Sequence, residues 1–340
     1  MLKMVRDVRV SIIPIALGIA PVILFLLSFI IGRYPIELAT VAKILFSGLI
    51  PVDHTWPVMA EKVVFEVRFP RILAAMIIGA GLSVAGAAFQ GIFRNPLVSP
   101  YILGVAAGAG FGAALAILLS DNMLMIQVCA LVFGLLAVLC TYAIGSVYKA
   151  ANTLALVLAG VIVGSFFSSL IALIKYVADP YEKLPAIVFW LMGSLANVKL
   201  SVVAIVGPVI SISVLILALF GWRMNILSMG EEEAQSFGIN TKRERAAIIL
   251  LCTVITAASV CLAGTIGWVG LVIPHICRLL VGPDYRKLIP ACISIGACYL
   301  LMIDNISRAV TDTEVPLGIL TALIGAPFFA YLIVKNKVGW

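Results

Sequence analysis

Long apolar runs separated by short polar segments dominate this sequence. Residues 10–32, 72–93, 96–120, 122–148, 150–174, 200–222, 246–277 and 315–334 contain no Asp, Glu, Lys or Arg. Each is long enough, at about 1.5 Å per helical residue, to cross roughly 30 Å of hydrocarbon. A ninth run, 288–303, stops at Asp304 and is expected to continue past that charge to about Val310. The 246–277 run is too long for one simple span, and Gly264, Gly267, Gly270 and Pro274 interrupt it. It reads as a full helix to about Ala263 followed by a short re-entrant or half-length helix near 272–280. The pattern therefore predicts ten helices.

Backbone groups left unpaired in lipid cost several kcal/mol, so a spanning segment is a helix or part of a closed barrel. Barrel strands would alternate polar and apolar positions, and runs such as 205–219 do not. The expected class is an all-α polytopic membrane protein. Composition agrees: 63% of the 340 residues are hydrophobic and only 11% charged, against roughly a quarter charged in soluble domains. The first run follows Lys3, Arg6 and Arg9 and exceeds the apolar core of a cleavable signal, so it reads as a retained span.

Ten crossings from a cytoplasmic N-terminus place Lys3, Arg6, Arg9, Arg94, Lys149, Arg223, Lys242, Arg243, Arg245, Arg278, Arg286, Lys287, Lys335 and Lys337 inside. Arg33, Lys43, Lys62, Arg68, Arg71, Lys175, Lys183, Lys199 and Arg308 fall outside. That asymmetry favours two cytoplasmic termini in a cell inner membrane. It also accounts for the net charge of +7 without nucleic acid, through sorting and contact with anionic lipid. The seven cysteines lie mostly within apolar runs and form no CxxC, which suits small core residues rather than disulfides.

The chain reads as one transmembrane domain with approximate halves 1–180 and 181–340. Ala85-Gly86 and Pro96 recur as Ala263-Gly264 and Pro274, which suggests a duplicated unit entering the bilayer from opposite sides. The largest outer loop, 33–69, contains Pro35, Pro51 and Pro57 and a stretch, 36–46, with the spacing of a surface helix. Gly104, Gly108 and Gly112, like Gly160 and Gly164, are spaced for close helix packing within the chain, with a dimer seam as the alternative.

Catalytic signatures such as HExxH, GxSxG and the phosphate-binding P-loop are absent, and His54 and His275 have no ligand-spaced companions. No catalytic residue, cofactor site or metal site is expected. Polar residues concentrate at the ends of the spans. Arg68 and Arg71 flank Pro70 before the second span, and Arg308 follows Asp304 by one turn, where the two could pair. These outer arginines suit either carboxylates of a partner or lipid headgroups. On the inner side, residues 229–238 read as a short helix with Glu231, Glu232 and Glu233 in its first turn and Gly238 at its C-cap. Such a knob could pass a push from a soluble motor into the bundle.

Several ordered motifs resemble the FecCD/BtuC-like permeases, membrane subunits of binding-protein-dependent ABC importers for iron-siderophores, haem and vitamin B12. They are Arg68-Phe69-Pro70-Arg71, the Gly79–Gln90 stretch, Asn95-Pro96-Leu97, Leu103-Gly104, Gly230-Glu231, Phe237-Gly238, Gly270–His275 with Arg278, Asp304, Arg308, Glu314 and Gly325-Ala326-Pro327. The resemblance implies ten helices per subunit and two permease copies forming the path. It further implies two ATPase subunits, which bind ATP and Mg, and an extracytoplasmic solute-binding protein. Arg68, Arg71 and Arg308 would receive acidic side chains of that protein. The 230–238 stretch, through Gly230, Glu231, Ala234, Phe237 and Gly238, would dock into the ATPase. The acidic triplet at 231–233 departs from the expected pattern. Pro274 and His275 would fix the break between the seventh and eighth helices. The implied cargo is ferric siderophore first, then haem or cobalamin. An ion-gradient-driven secondary transporter would ordinarily carry an ionisable group near mid-bilayer, which most spans lack; a non-transporting membrane scaffold or enzyme is the remaining rival.

Overall fold

The computed structural model describes residues 2–47, 53–147, 153–311 and 313–335; Pro51, Lys149 and Lys337 lie outside them. Among the described residues the chain is helical, without strands. The first half contains α1 (Leu2–Ser28), the surface helices α2 (Leu38–Phe46) and α3 (Val58–Lys62), then α4 (Phe69–Ile92), α5 (Val105–Leu119), α6 (Met123–Ser146) and α7 (Thr153–Val177). After the short α8 (Lys183–Leu191) come α9 (Leu200–Leu219), α10 (Gly221–Met229), α11 (Glu231–Ser236), α12 (Thr241–Ala263), α13 (Val269–Val281), α14 (Tyr285–Ala309) and α15 (Leu317–Val334).

Six described helical segments are long and apolar enough to cross a membrane; they end in or comprise α4, α6, α7, α9, α12 and α14. Shorter apolar helical segments lie in α1, α5, α13 and α15. The run expected from Pro96 becomes helical only at Val105, because turns occupy the preceding residues. The surface helix expected within 36–46 is α2. The break predicted after Ala263 is present: α12 ends there and α13 starts at Val269.

Burial divides core from shell. The most apolar windows of α4 and α12 are 78% and 72% buried, whereas those of α6, α7 and α9 are 33%, 28% and 33% buried. The exposed faces of the shell helices are oily, with Leu158, Ile162 and Phe166 on α7 and Ile205, Ile212 and Leu215 on α9. Such faces suit lipid or another apolar surface.

Helix α4 is the hub, packing against α9, α12, α13 and α14. Without a hydrophobic force between helices in oil, close backbone approach sets their association. A Cβ on Gly86 would sit 1.9 Å from the Gly270 carbonyl oxygen of α13. One on Gly79 would sit 2.2 Å from the Gly296 oxygen of α14. The Ser83 hydroxyl donates to the Cys292 carbonyl at 2.6 Å and adds a polar tie. The glycines expected to pack tightly do so within the chain: Gly108 and Gly112 abut the α6 backbone at Phe133 and Cys129.

The two small-residue pairs that suggested duplication occupy different local structures. Ala85-Gly86 lies inside α4, while Ala263-Gly264 ends α12; Pro96 is in a turn, whereas Pro274 is inside α13. The sequence echo therefore does not align equivalent positions, although a long helix, an interruption and a shorter helix occur in both halves.

Gly86→Ala is expected to destabilise the folded chain by at least about 1–3 kcal/mol, the usual range for overpacking, because the obstruction is backbone. Gly18→Ala, with nothing within 4 Å of the new methyl, should be near neutral. Thermal unfolding of both variants in detergent measures the contrast.

Candidate functional site

The knob expected on the inner side is built as the sequence indicates. Gly230, at φ 156°, separates α10 from α11, and Glu231, Glu232 and Glu233 fill the first turn of α11. At the other end Gly238 adopts φ 75°, which frees two amides to close the helix. The Gly238 amide donates to the Gln235 carbonyl at 2.9 Å and the Ile239 amide to the Ala234 carbonyl at 3.1 Å, the paired bonds of a Schellman cap. Ala234 is the only buried residue of α11; Phe237 is 60% exposed.

Two contacts hold the knob in place. The Glu231 carboxylate accepts from the Thr241 hydroxyl at 3.2 Å and from Arg245 at 3.4 Å, while the Asn240 side chain caps α12 by accepting from the Arg243 amide. All three members of the acidic triplet are exposed, and Glu231 is the one fastened to the base.

Above the knob, the interrupted helices are tied into the core. Pro274 has no amide hydrogen, so the Gly270 carbonyl, four residues earlier, loses its helical donor. The buried Gln90 side chain of α4 supplies one at 3.3 Å, and its carbonyl oxygen accepts from Arg278. The helix interruption itself falls at 264–268, upstream of Pro274 and His275, where Gly264 and Trp268 take φ values of 67° and 68°. Pro274 and His275 lie inside α13 instead; His275 is buried with its ring 6.1 Å from that of Phe329. Three connecting segments meet beside the interruption. The Ser194 amide donates to Ala263 at 2.8 Å, and the Leu317 and Gly318 amides donate to Gly193 and Met192 at 2.9 and 3.0 Å.

At the end expected to face outward, the three arginines expected as free donors are 3%, 3% and 6% exposed at Arg68, Arg71 and Arg308. A widened π-helical turn, Val63–Arg68, precedes Pro70 and carries Arg68 inward. Arg68 donates to the Phe29 carbonyl and, at 2.6 Å, to the Tyr34 carbonyl. Arg308 donates to the Ser28 carbonyl at 2.8 Å. Together they satisfy carbonyls at the C-terminal end of α1, where positive charge also opposes the helix dipole. Arg71 spans Asp304 at 2.7 Å and Glu314 at 2.6 Å, and Arg308 approaches Asp304 at 3.6 Å, the pairing anticipated from their spacing. Residue type indicated outward forks; the fold provides internal acceptors for all three.

A cavity of about 230 Å³ opens beside Asp121, Gln127, Trp190 and Asn197. It is below the roughly 300–1,000 Å³ of small-molecule sites and does not fit a bulky chelate. Sequence reasoning assigned no role to Asn225, Asp284 or Tyr285, which join the inner helices. Their only signal was polarity beside span ends.

The model of the FecCD transport family matches residues 20–335. The chain is 40% identical to the molybdate import system permease protein MolB of Haemophilus influenzae, over 94% of each chain. It is 35% identical to the cobalamin import system permease protein BtuC of Halobacterium salinarum, over 95% of this chain and 96% of that one. A solved structure described as an inward-facing conformation of a putative metal-chelate type ABC transporter superposes with a TM-score of 0.83 at 39% identity, covering 94% of this chain and 98% of that one.

Asp304→Ala leaves two buried guanidiniums facing each other without their shared carboxylate, an expected loss of about 3–5 kcal/mol. Glu314→Gln, at the partly exposed end of the network, should lose about 1 kcal/mol or less. Denaturation midpoints of the detergent-solubilised variants test that order.

Proposed function

The chain belongs to the FecCD transport family, and from that membership we propose how it works as the membrane-spanning permease subunit of an ABC importer. Two copies form the route, with ten crossings each when α1, α5, α13 and α15 are counted. Both termini face the cytoplasm of the inner membrane, and the halves form an inverted pair. Two partner ATPases bind ATP and Mg and act on α11, while an extracytoplasmic binding protein delivers cargo from above. The capped knob, with Phe237 exposed at its tip, is the observation that carries this coupling proposal.

Docking of the binding protein is proposed at the outer rim that Arg68, Arg71 and Arg308 hold together. Their burial favours action through the shape of that rim over direct ion pairing. Charge reversal would disturb the rim itself, so it does not isolate docking.

Ferric siderophore is the first cargo proposed, on family resemblance, with haem and cobalamin next. Molybdate is a second reading, favoured by the Haemophilus influenzae relative. Reconstitution with cognate ATPase and binding protein, followed by uptake of ferric hydroxamate, haemin, cyanocobalamin or radiolabelled molybdate, distinguishes them. Uptake by the chain alone, without nucleotide, would overturn the ABC reading in favour of a secondary transporter.

Phe237→Ala should weaken association with the ATPase about ten-fold, the scale of an aromatic interface anchor, with unchanged helicity and monodispersity in detergent. Equilibrium binding of the purified ATPase measures it, and unchanged affinity removes Phe237 from the contact.

A further inference from the structure

The knob meets the bundle at two places, at the start of α12 through Glu231 and along α10, and its Ala234 is buried in the main apolar core. Helix α10 buries Met224, Ile226 and Leu227 and packs against α4 and α14. At its middle, the half-buried Asn225 makes two opposite hydrogen bonds to the start of α14. Its amide nitrogen donates to the Asp284 carboxylate at 2.7 Å, and its carbonyl oxygen accepts from the Tyr285 amide at 2.9 Å. The same Asp284 oxygen caps α14 by accepting from the Arg286 amide at 3.0 Å. Hydrogen bonds from Arg286 and then Asn225 hold the Asp284 carboxyl down at about 2, so it is ionised throughout the neutral range.

Tyr285 continues the connection inward. Its side chain is 1% exposed, and its hydroxyl donates to the Ala87 carbonyl of α4 at 3.2 Å. A Cβ on Gly91 would lie 2.2 Å from that hydroxyl oxygen, so α4 is pressed directly against it. One turn away Gln90 grips α13. A displacement of α10 thus reaches α4, α13 and α14 through one short series of hydrogen bonds.

We propose that Asn225, with Asp284 and Tyr285, is the joint that converts motion of the cytoplasmic knob into motion of the core helices, a positioning role separate from ATPase docking. This inference rests on the ABC-import reading. The amide donates one bond and accepts the other, so the contact has a fixed donor–acceptor polarity, and parting α10 from α14 would stretch both bonds at once, beyond the packing of Met224, Ile226 and Leu227.

The test exploits that polarity in the complete complex, reconstituted with ATPase and binding protein. Asn225→Asp brings two carboxylates together; uptake per ATP hydrolysed should fall about ten-fold while ATPase association and hydrolysis stay within about two-fold of wild type. Asp284→Asn should be mild, because an amide oxygen still accepts from both Asn225 and the Arg286 amide. In Asn225→Asp/Asp284→Asn the amide and carboxylate trade places: the side-chain contact and the bond from the Tyr285 amide are kept, while the Arg286 amide must turn to the other side-chain atom of residue 284, so the ratio should recover to within about three-fold, as a coupled pair requires. The uptake probe is whichever of ferric hydroxamate, haemin, cyanocobalamin or molybdate the wild type accumulates. An unchanged ratio in Asn225→Asp, a parallel loss of hydrolysis and uptake, or no recovery in the double variant would each overturn the joint. If Asn225→Asp does not assemble, Asn225→Ser provides the same reading, and an unchanged ratio there has the same consequence. Absence of ATP-driven uptake in the wild type itself refutes the import reading instead.

Discussion

Backbone carbonyls and amides cannot go unpaired in hydrocarbon, and this requirement shapes three places among the described residues where a helix is interrupted or ends inside the protein. Pro274 exposes the Gly270 carbonyl, and Gln90 answers it from the neighbouring helix. The end of α1 leaves the Ser28 and Phe29 carbonyls open, and Arg308 and Arg68 fill them. Where α12 stops, amides and carbonyls of three connecting segments satisfy one another. Each interruption is therefore also a crosslink between elements distant in sequence. In a water-soluble protein the same groups could turn to solvent; here they draw α1, α4, α13 and α14 into one unit.

Small residues make those crosslinks reachable. Gln90 reaches the Gly270 carbonyl because Gly86, one turn earlier on α4, brings the two backbones into contact. The same close approach lets Ser83 reach α14. Packing and hydrogen bonding are consequently interdependent: a methyl group at Gly86 would separate the helices and remove the donor that Pro274 requires. The outer shell follows another logic. Its large aliphatic side chains are exposed, so α6, α7 and α9 retain apolar surface for lipid or a second copy.

Periodicity and charge made the spans legible because the solvent that each run must meet is written into its residues. The interruption after Ala263 was equally legible from its glycines, and the inner helix from its acidic first turn and terminal Gly238. Partners across the bundle were not. Arg68, Arg71 and Arg308 read as outward donors because residue type cannot reveal that Phe29, Tyr34 and Ser28 offer carbonyls to two of them. Glu314 and Asp304 likewise meet Arg71 only after α4, α14 and the turn before α15 assemble. Pro274 drew attention as a helix breaker, yet Gln90 lets α13 continue through it. The left-handed conformations of Gly264 and Trp268 set the actual break, and the tryptophan carried no local signal for one.

The arginine rim and the knob end manage polarity in different ways, and that difference bears on the proposed transport. The outer network combines three guanidiniums with two carboxylates, nearly all inside the protein. Breaking one member leaves charge behind in a poorly solvating place, which favours a single geometry. The inner connection uses one neutral amide against a carboxylate and a backbone amide, a weaker arrangement whose remaking requires no bare buried charge. In the proposed importer, driven through the knob, that connection must shift without dismantling the arginine rim. The buried ionic contacts therefore lie at the rim, whereas the ion pairs beside the knob, Arg223 with Glu244 and Arg245 with Glu231, are partly exposed and, like the amide contact between α10 and α14, can be remade without leaving a bare buried charge.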